Sequence, residues 1–438
     1  MLFLQTSQLT TDFNNRIYPG VRPATLCLFK YISQHWTNVN LKMILVTVGF
    51  ILLVHSLPAR TDSGDDVIKV IPHTSDELSH LIDYLNNEAL QGHIDIWTMP
   101  KNVDKDGVFK IAHEYKIQTE AWLTKEGMDY SIITGDIERL IMNEEADKTS
   151  ETIVTRSRLQ TSDVNLKAFN DHNNINTYLR ISVGICDICR LISIGKSYQN
   201  REMLVIKLIN GYHRNDSDIM WLLDHFVYYI LPSANPDGYM YSREYDRMWR
   251  KTRKPTLKVG CVGSDPNRNW KFHWAESGVS FNRCSGIFPG EHPFSEVEMR
   301  NIRRFLWRYR NRFIVYLSLH SYGQQWLYPW GYDDSLPEDW KELDRVGQRA
   351  TNKIRDTSGA DYELGSSTHL LYAAAGVSDD WAKAVAGIKY SYAVELADLG
   401  EYGFFMPAEL IQPSFDEFWP ALPEMSKAVQ EFLDGIIH

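Results

Sequence analysis

Three apolar runs set the tightest limit on what this chain can fold into. FVYYILP at 226–232, FIVYLSL at 313–319 and IKYSYAV at 388–394 are rich in β-branched and aromatic residues and lack the polar alternation of a half-solvated strand. Strands of that kind are buried on both faces, so their sheet needs a covering layer on each side. The turn residues NPDG close the first run. Helical signals supply the layers. Ser295 precedes VEMRNIRRFLWRYR with Glu298 three residues on, the spacing of a capping box. A second helix is expected from about Glu338 to Ser358, stopping at Gly359, and a third in the C-terminal stretch. The pattern specifies an α/β domain.

The residues before that domain organise differently. Between residues 66 and 146, strand-like and helix-like segments alternate within a short span, from VIKVIPHTSDELSHLIDYL to MDYSIITGDIERLI. This predicts a small α+β unit. An acidic and polar stretch follows at 147–160 with no apolar period, and its TRSR sequence exposes Arg156 and Arg158. It is expected to be a cleavable linker. Further upstream, Lys42 precedes MILVTVGFILLVHSLPA, whose apolar centre runs from Ile44 to Val54 and is short for a bilayer span. Residues 43–60 are therefore expected to be a secretory signal peptide, and residues 1–42 an upstream extension outside any domain.

Secretion makes cysteine pairing informative. Of the five cysteines, Cys27 lies in the extension. Cys261 and Cys284 flank a loop-rich stretch that a disulfide would restrain. Cys186 and Cys189 form CDIC without a second CxxC, which leaves a buried thiol pair or a local disulfide. Asn215-Asp216-Ser217 is a glycosylation acceptor. With 44% hydrophobic and 23% charged residues the chain can bury a sizeable core. A net charge of −10, with no basic run, excludes nucleic acid as its main partner.

Open α/β sheets bind ligands at the carboxyl ends of their strands. His320 follows one apolar run and Glu395 another. A histidine beside a carboxylate at such an edge suggests metal-assisted or general-base chemistry.

The surrounding motifs narrow the chemistry. MWRKTRK at 248–254, SDPNRNW at 264–270, HSYGQ at 320–324, LYAAAGVSDDW at 371–381 and KYSYAVELAD at 389–398 resemble, in order and spacing, the zinc metallocarboxypeptidases of the carboxypeptidase A/B type. The resemblance runs from about Lys69 to the end of the chain. It implies a mixed central sheet flanked by helices over 161–438, preceded by an activation prodomain. It implies one zinc ion, with His320 as a ligand and Glu395 as the general base on the zinc-bound water. Arg250 then stabilises the developing oxyanion. Asn267 and Arg268 grip the substrate's terminal carboxylate, a task suited to a planar guanidinium fork. Tyr372 closes over the substrate, and Ser321 and Tyr322 line neighbouring subsites. Asp379 falls where B-like members carry an aspartate that pairs with a C-terminal Lys or Arg, and small Ala393 leaves room for a long side chain.

One departure stands out. The family's other two zinc ligands form an HxxE pair, which should lie between REMLVIKLI and the NPDGY turn. Only NGYHRNDSDIMWLLDHFVYYILPSA stands there, so the chain is short by roughly thirty residues near 210–220, including a core strand and both ligands. His213 with Asp216, and His273 with Glu276 in HWAE, are the available substitutes, and both are poor ones. A sheet lacking that strand is expected to expose unpaired edges. Ala397 and Glu401 replace arginines found in many vertebrate members.

Two functions follow. The first is a secreted zinc carboxypeptidase proenzyme, monomeric and activated by a trypsin-like protease, that removes C-terminal Lys or Arg. The second is a catalytically inactive relative that at most binds peptide C-termini through Asn267, Arg268 and Asp379.

Overall fold

The computed structural model describes residues 1–6, 66–133 apart from 86, 88, 89, 91, 92 and 101, 168–209 and 217–435. The proposed leader at 43–60, the linker with Arg156 and Arg158, and His213, Asn215 and Asp216 lie outside the described residues.

The chain opens with β1 (Leu2–Thr6). A small unit follows: β2 (Asp66–Ile71), α1 (Ser75–Leu85), β3 (Ile94–Thr98), β4 (Gly107–Ile111), α2 (His113–Glu126) and β5 (Asp129–Ile132). Its antiparallel sheet runs β3-β4-β2-β5. Ile68, Val70, Phe109 and Ile111 from the strands close against Leu81 and Leu123 from the helices. This matches the α+β expectation for that stretch.

The larger unit contains α3 (His172–Gly184), β6 (Cys189–Lys196), β7 (Glu202–Leu208), α4 (Ser217–His225), β8 (Phe226–Ile230), α5 (Pro236–Glu244), α6 (Val297–Tyr309), β9 (Phe313–Ser321), β10 (Gln325–Tyr328), α7 (Trp340–Ser358), β11 (Glu363–Ser366), α8 (Ser367–Leu370), α9 (Ser378–Ala384), β12 (Tyr390–Leu396), α10 (Ile411–Phe418) and α11 (Ala421–Leu433). The strands form an eight-stranded mixed sheet in the order β11-β10-β12-β9-β1-β8-β7-β6. The three apolar runs are β8, β9 and β12, near its centre. Each is buried on both faces, and two separate hydrophobic cores cover the sheet.

Two expectations are corrected. The first six residues are not outside the domain. β1 pairs antiparallel with both β8 and β9, so the place where an unpaired edge was expected holds a strand from the far end of the chain. The run MLFL suits that place, since Leu4 is wholly buried in one core and Met1 is buried in the other.

The Ser295–Glu298 capping box does not form. Glu296 occupies the cap position of α6 without a side-chain bond, and Ser295 Oγ instead donates to Glu296 at 2.8 Å and accepts from Asn269 at 2.9 Å. Glu298 accepts from the backbone N–H of Tyr198 at 2.8 Å. Long-range partners outbid the local motif. By contrast α7 stops at Gly359 as expected, because the closing residue has φ of 82° and glycine adopts that conformation without strain.

Candidate active site

The carboxyl ends of β9 and β12 lie side by side. Parallel pairing puts Glu395 opposite His320, and antiparallel pairing puts Gln325 of β10 opposite Glu395. His320 Nε2 lies 2.8 Å from Ser318 Oγ. Burial pushes His320 down to about 3, reinforced by the charges of Arg250 and Arg268. The imidazole is neutral at physiological pH and keeps a lone pair to offer. Burial pushes Glu395 up to about 8 against the opposing pull of Arg250, and its Oε2 is buried without a hydrogen-bond partner.

The cationic half is built from an irregular stretch between α5 and α6. Its central residue is one that the sequence analysis left without a role. Asp265 is fully buried, accepts from Arg250 Nε at 2.9 Å and from the Asn267 backbone N–H at 2.9 Å, and lies 3.8 Å from Arg268. Although burial alone would raise Asp265, the Arg250 and Arg268 charges hold it below the usual carboxylate range. Arg268 is locked by bonds to the carbonyls of Gly278 and Asn267, both 2.9 Å. Its guanidinium stands 6.0 Å from the Tyr372 ring. Asn267 Oδ1 accepts from the Ser378 backbone N–H at 3.0 Å, joining this stretch to α9. The only sequence sign of Asp265 was its place in SDPNRNW.

One disulfide holds the irregular stretch as expected, and a second lies at the start of β6. Cys261 is bonded to Cys284, and Cys186 to Cys189, which settles the open alternative for CDIC. Asn269 fastens the same stretch through Pro289 O at 2.7 Å and His292 O at 3.1 Å.

Asp379 lies in the first turn of α9, 2% exposed, with Oδ2 buried and unpartnered. Burial raises it to about 6 despite the Arg268 charge. Its charge works against ionisation of Glu395. Beside it Asp380 spends both carboxylate oxygens on the Gly331 N–H, each at 3.0 Å, and is structural. Ala393 is buried on β12, opposite Ser318.

The small unit reaches over this site. Thr98 of β3 bonds Tyr322 OH at 3.1 Å, and Trp97 packs edge-on against Phe404 at 5.6 Å. Asp95 of the same strand bears on Arg250 electrostatically. Nothing in the sequence identified these contacts, because strand β3 is separated from Tyr322 by more than two hundred residues.

A catalytic zinc needs three protein ligands around an open position. Among the described residues no group of three His, Cys, Asp or Glu side chains is placed to hold a metal ion. His273 and Glu276 do not serve: they bond each other at 2.5 Å, and the imidazole stacks on Tyr332 at 3.6 Å. The described residues supply one candidate ligand, His320, and do not fit the metal by themselves.

Comparison with known proteins gives a consistent picture. A family model described as zinc carboxypeptidase matches residues 205–421. Carboxypeptidase B from Astacus astacus is 39% identical over 296 residues, covering 60% of this chain and 98% of the relative. Those 296 residues meet about 263 positions here (60% of 438), so about thirty have no counterpart in this chain. Carboxypeptidase A2 from Mus musculus is 32% identical over 408 residues, covering 85% and 95% of the two chains. Among solved structures, thrombin activatable fibrinolysis inhibitor superposes with a TM-score of 0.70 at 27% identity, covering 83% of this chain and 98% of that one.

Proposed function

The chain belongs to the zinc carboxypeptidase family, a family of peptide hydrolases, and from that premise we propose that it acts on peptides ending in Lys or Arg and is made as a secreted proenzyme. The observation that carries the preference is Asp379. A carboxylate 2% exposed, with one oxygen lacking a partner, is costly to bury unless a cation joins it. An ammonium or guanidinium on the substrate's last residue would supply that cation.

The other contacts follow from the same pose. Arg268 and Asn267 receive the terminal carboxylate, with Tyr372 beside the guanidinium. Arg250, aimed by Asp265, faces the scissile carbonyl and favours charge developing on its oxygen. Glu395 moves a proton at that centre, and Ser321 and Tyr322 line the approach. Proenzyme status is supported by β3 lying across Tyr322 and beside Arg250, so that cutting at Arg156 or Arg158 by a trypsin-like protease would free the cleft. Secretion is supported by the leader-like sequence at 43–60 and by two disulfides.

A second reading, binding without hydrolysis, rests on the sequence near 210–220, where the family's HxxE pair has no counterpart. Both readings share the same recognition. The test is hydrolysis and binding of matched peptides ending in Arg, Lys or Phe after the linker is cut. Selectivity for the basic ends that disappears in Asp379→Asn supports the assignment. Equal treatment of Arg and Phe ends would overturn it.

A further inference from the structure

One helix of the large domain carries surface charge of a single sign. α6 and the three residues after it hold Arg300, Arg303, Arg304, Arg308, Arg310 and Arg312. The sequence has no long unbroken basic run, because the turns of the helix rather than chain order gather these side chains. At 3.6 residues per turn, Arg300, Arg303, Arg304, Trp307 and Arg308 fall within an arc of about 140°. The opposite arc, with Met299, Ile302, Phe305 and Leu306, is buried in one of the two cores. Arg304, Arg308 and Arg312 are exposed, and Trp307 stands 46% exposed among them. Among the described residues no carboxylate pairs with any of the six arginines. Their bonds go to neutral groups: Arg300 donates to the Phe294 and Ser295 carbonyls at 2.9 and 2.7 Å, Arg310 to the Trp307 carbonyl at 2.8 Å, and Arg304 to Asn301. α7 shows the alternative. There Arg349 bridges Glu424 and Glu431, and Arg355 meets Asp361. Like charges four apart on a helix repel, so the row on α6 works against folding.

Arg310 and Arg312 lead directly into Phe313 at the amino end of β9, whereas His320 stands near its carboxyl end, roughly 23 Å along the strand. The basic face is therefore remote from the cleft. We propose that the outer face of α6, continued by Arg310 and Arg312, is a docking surface for a linear sulfated polysaccharide, a partner whose extracellular place rests on the secreted reading above. Charge complementarity selects this occupant. Guanidinium forks match the paired oxygens of sulfate and carboxylate groups, and Arg300, Arg304 and Arg308 recur about every 6 Å along the helix, so an extended polyanion meets them in series. A lipid surface fits less well. Amphipathic helices enter bilayers by an apolar face, and that of α6 is spent on the core. Stacking of nucleic-acid bases is not favoured either, since Trp307, the aromatic residue of this face, already stacks with Arg310 at 4.1 Å. Docked in this way, the protein is held on the polysaccharide while its cleft stays open to peptides.

The experiment passes the full chain over immobilised heparin, with vesicles containing anionic phospholipid as the comparison. Heparin is expected to retain it, with affinity falling on the order of 100-fold between about 50 and 200 mM salt if about four guanidinium groups engage. Arg304→Glu with Arg308→Glu reverses two exposed charges and should weaken heparin binding at least about tenfold. The same change of net charge on α7, Lys353→Glu with Arg355→Glu, should weaken it less than about threefold. Both double variants are expected to melt within about 4 °C of the parent chain, as surface substitutions do, and to bind a peptide ending in Arg as before. Passage through heparin at low salt, an equal loss from the α7 pair, or vesicle binding as tight as heparin binding would overturn the proposal. Recovery of the chain from culture medium is scored separately, so failure of secretion and failure of the docking surface are told apart.

Discussion

The two halves of the cleft are unequally built. On the cationic side, Arg250, Asn267 and Arg268 are each fixed by a bond to Asp265, to a backbone carbonyl or to a neighbouring segment. On the other side, His320 stands at the end of β9 with Glu395 and with no second or third metal donor among the described residues. The difference lies in where each half comes from. The first is carried by a loop that holds itself together through a disulfide and buried amides. The second depends on a strand beside β9, and in this chain that strand is β1, which restores the main-chain ladder but brings a buried methionine and leucine instead of ligands.

The largest effect that can break this contrast is removal of its organising acid. Asp265→Asn leaves two guanidinium groups facing a neutral amide, and breaking a buried ion pair on one side costs about 3–5 kcal/mol. Urea unfolding is expected to show that loss together with disappearance of peptide binding. If Asp265→Asn binds C-termini normally, the cationic half is not organised as described.

Cys261→Ser with Cys284→Ser comes next. A bridge closing a loop of this length contributes roughly 3 kcal/mol in the chain-entropy account, so thermal unfolding should move to markedly lower temperature. Binding should weaken with it, because Arg268 lies inside that loop.

A pH series sharpens the comparison further. Asp379 is raised in the folded chain, from the ordinary carboxylate value to about 6, so the unfolded chain releases its proton first. Stability from this group is full below about pH 4 and falls by on the order of 3 kcal/mol as pH rises through 6. Affinity for a basic C-terminus should change in the opposite direction, rising across the same interval as Asp379 ionises. Asp379→Asn is expected to flatten both curves, measured by denaturant melts and calorimetry. The smallest effect concerns the metal half. His320→Ala should abolish whatever zinc the chain retains after dialysis, whereas His273→Ala should leave zinc content unchanged and cost under about 1 kcal/mol.

What the sequence revealed depended on how local each determinant is. β8, β9 and β12 could be read directly, because a strand buried on both faces must be apolar throughout. His320 and Glu395 followed from their places at strand ends, and the structure does bring them opposite each other. β1 could not be read, since MLFLQT is too short to distinguish a core strand from the start of an extension, and its partners lie more than two hundred residues away. Asp265 was hidden for a related reason. Its role is defined by the two arginines that converge on it in space, and only Arg268 is close in sequence. The failed capping box at Ser295 is the converse case, a clear local signal overruled by the long-range bonds of Glu298 and Ser295.

The measurement that tests the account most directly is calorimetric titration of the linker-cut chain with one peptide in two forms, ending in arginine as a free acid and as an amide. The account predicts that the acid binds, that the amide is weaker by about 100-fold because Arg268 and Asn267 lose their partner, and that Asp379→Asn weakens the acid as well. Equal affinity for the acid and the amide would contradict it.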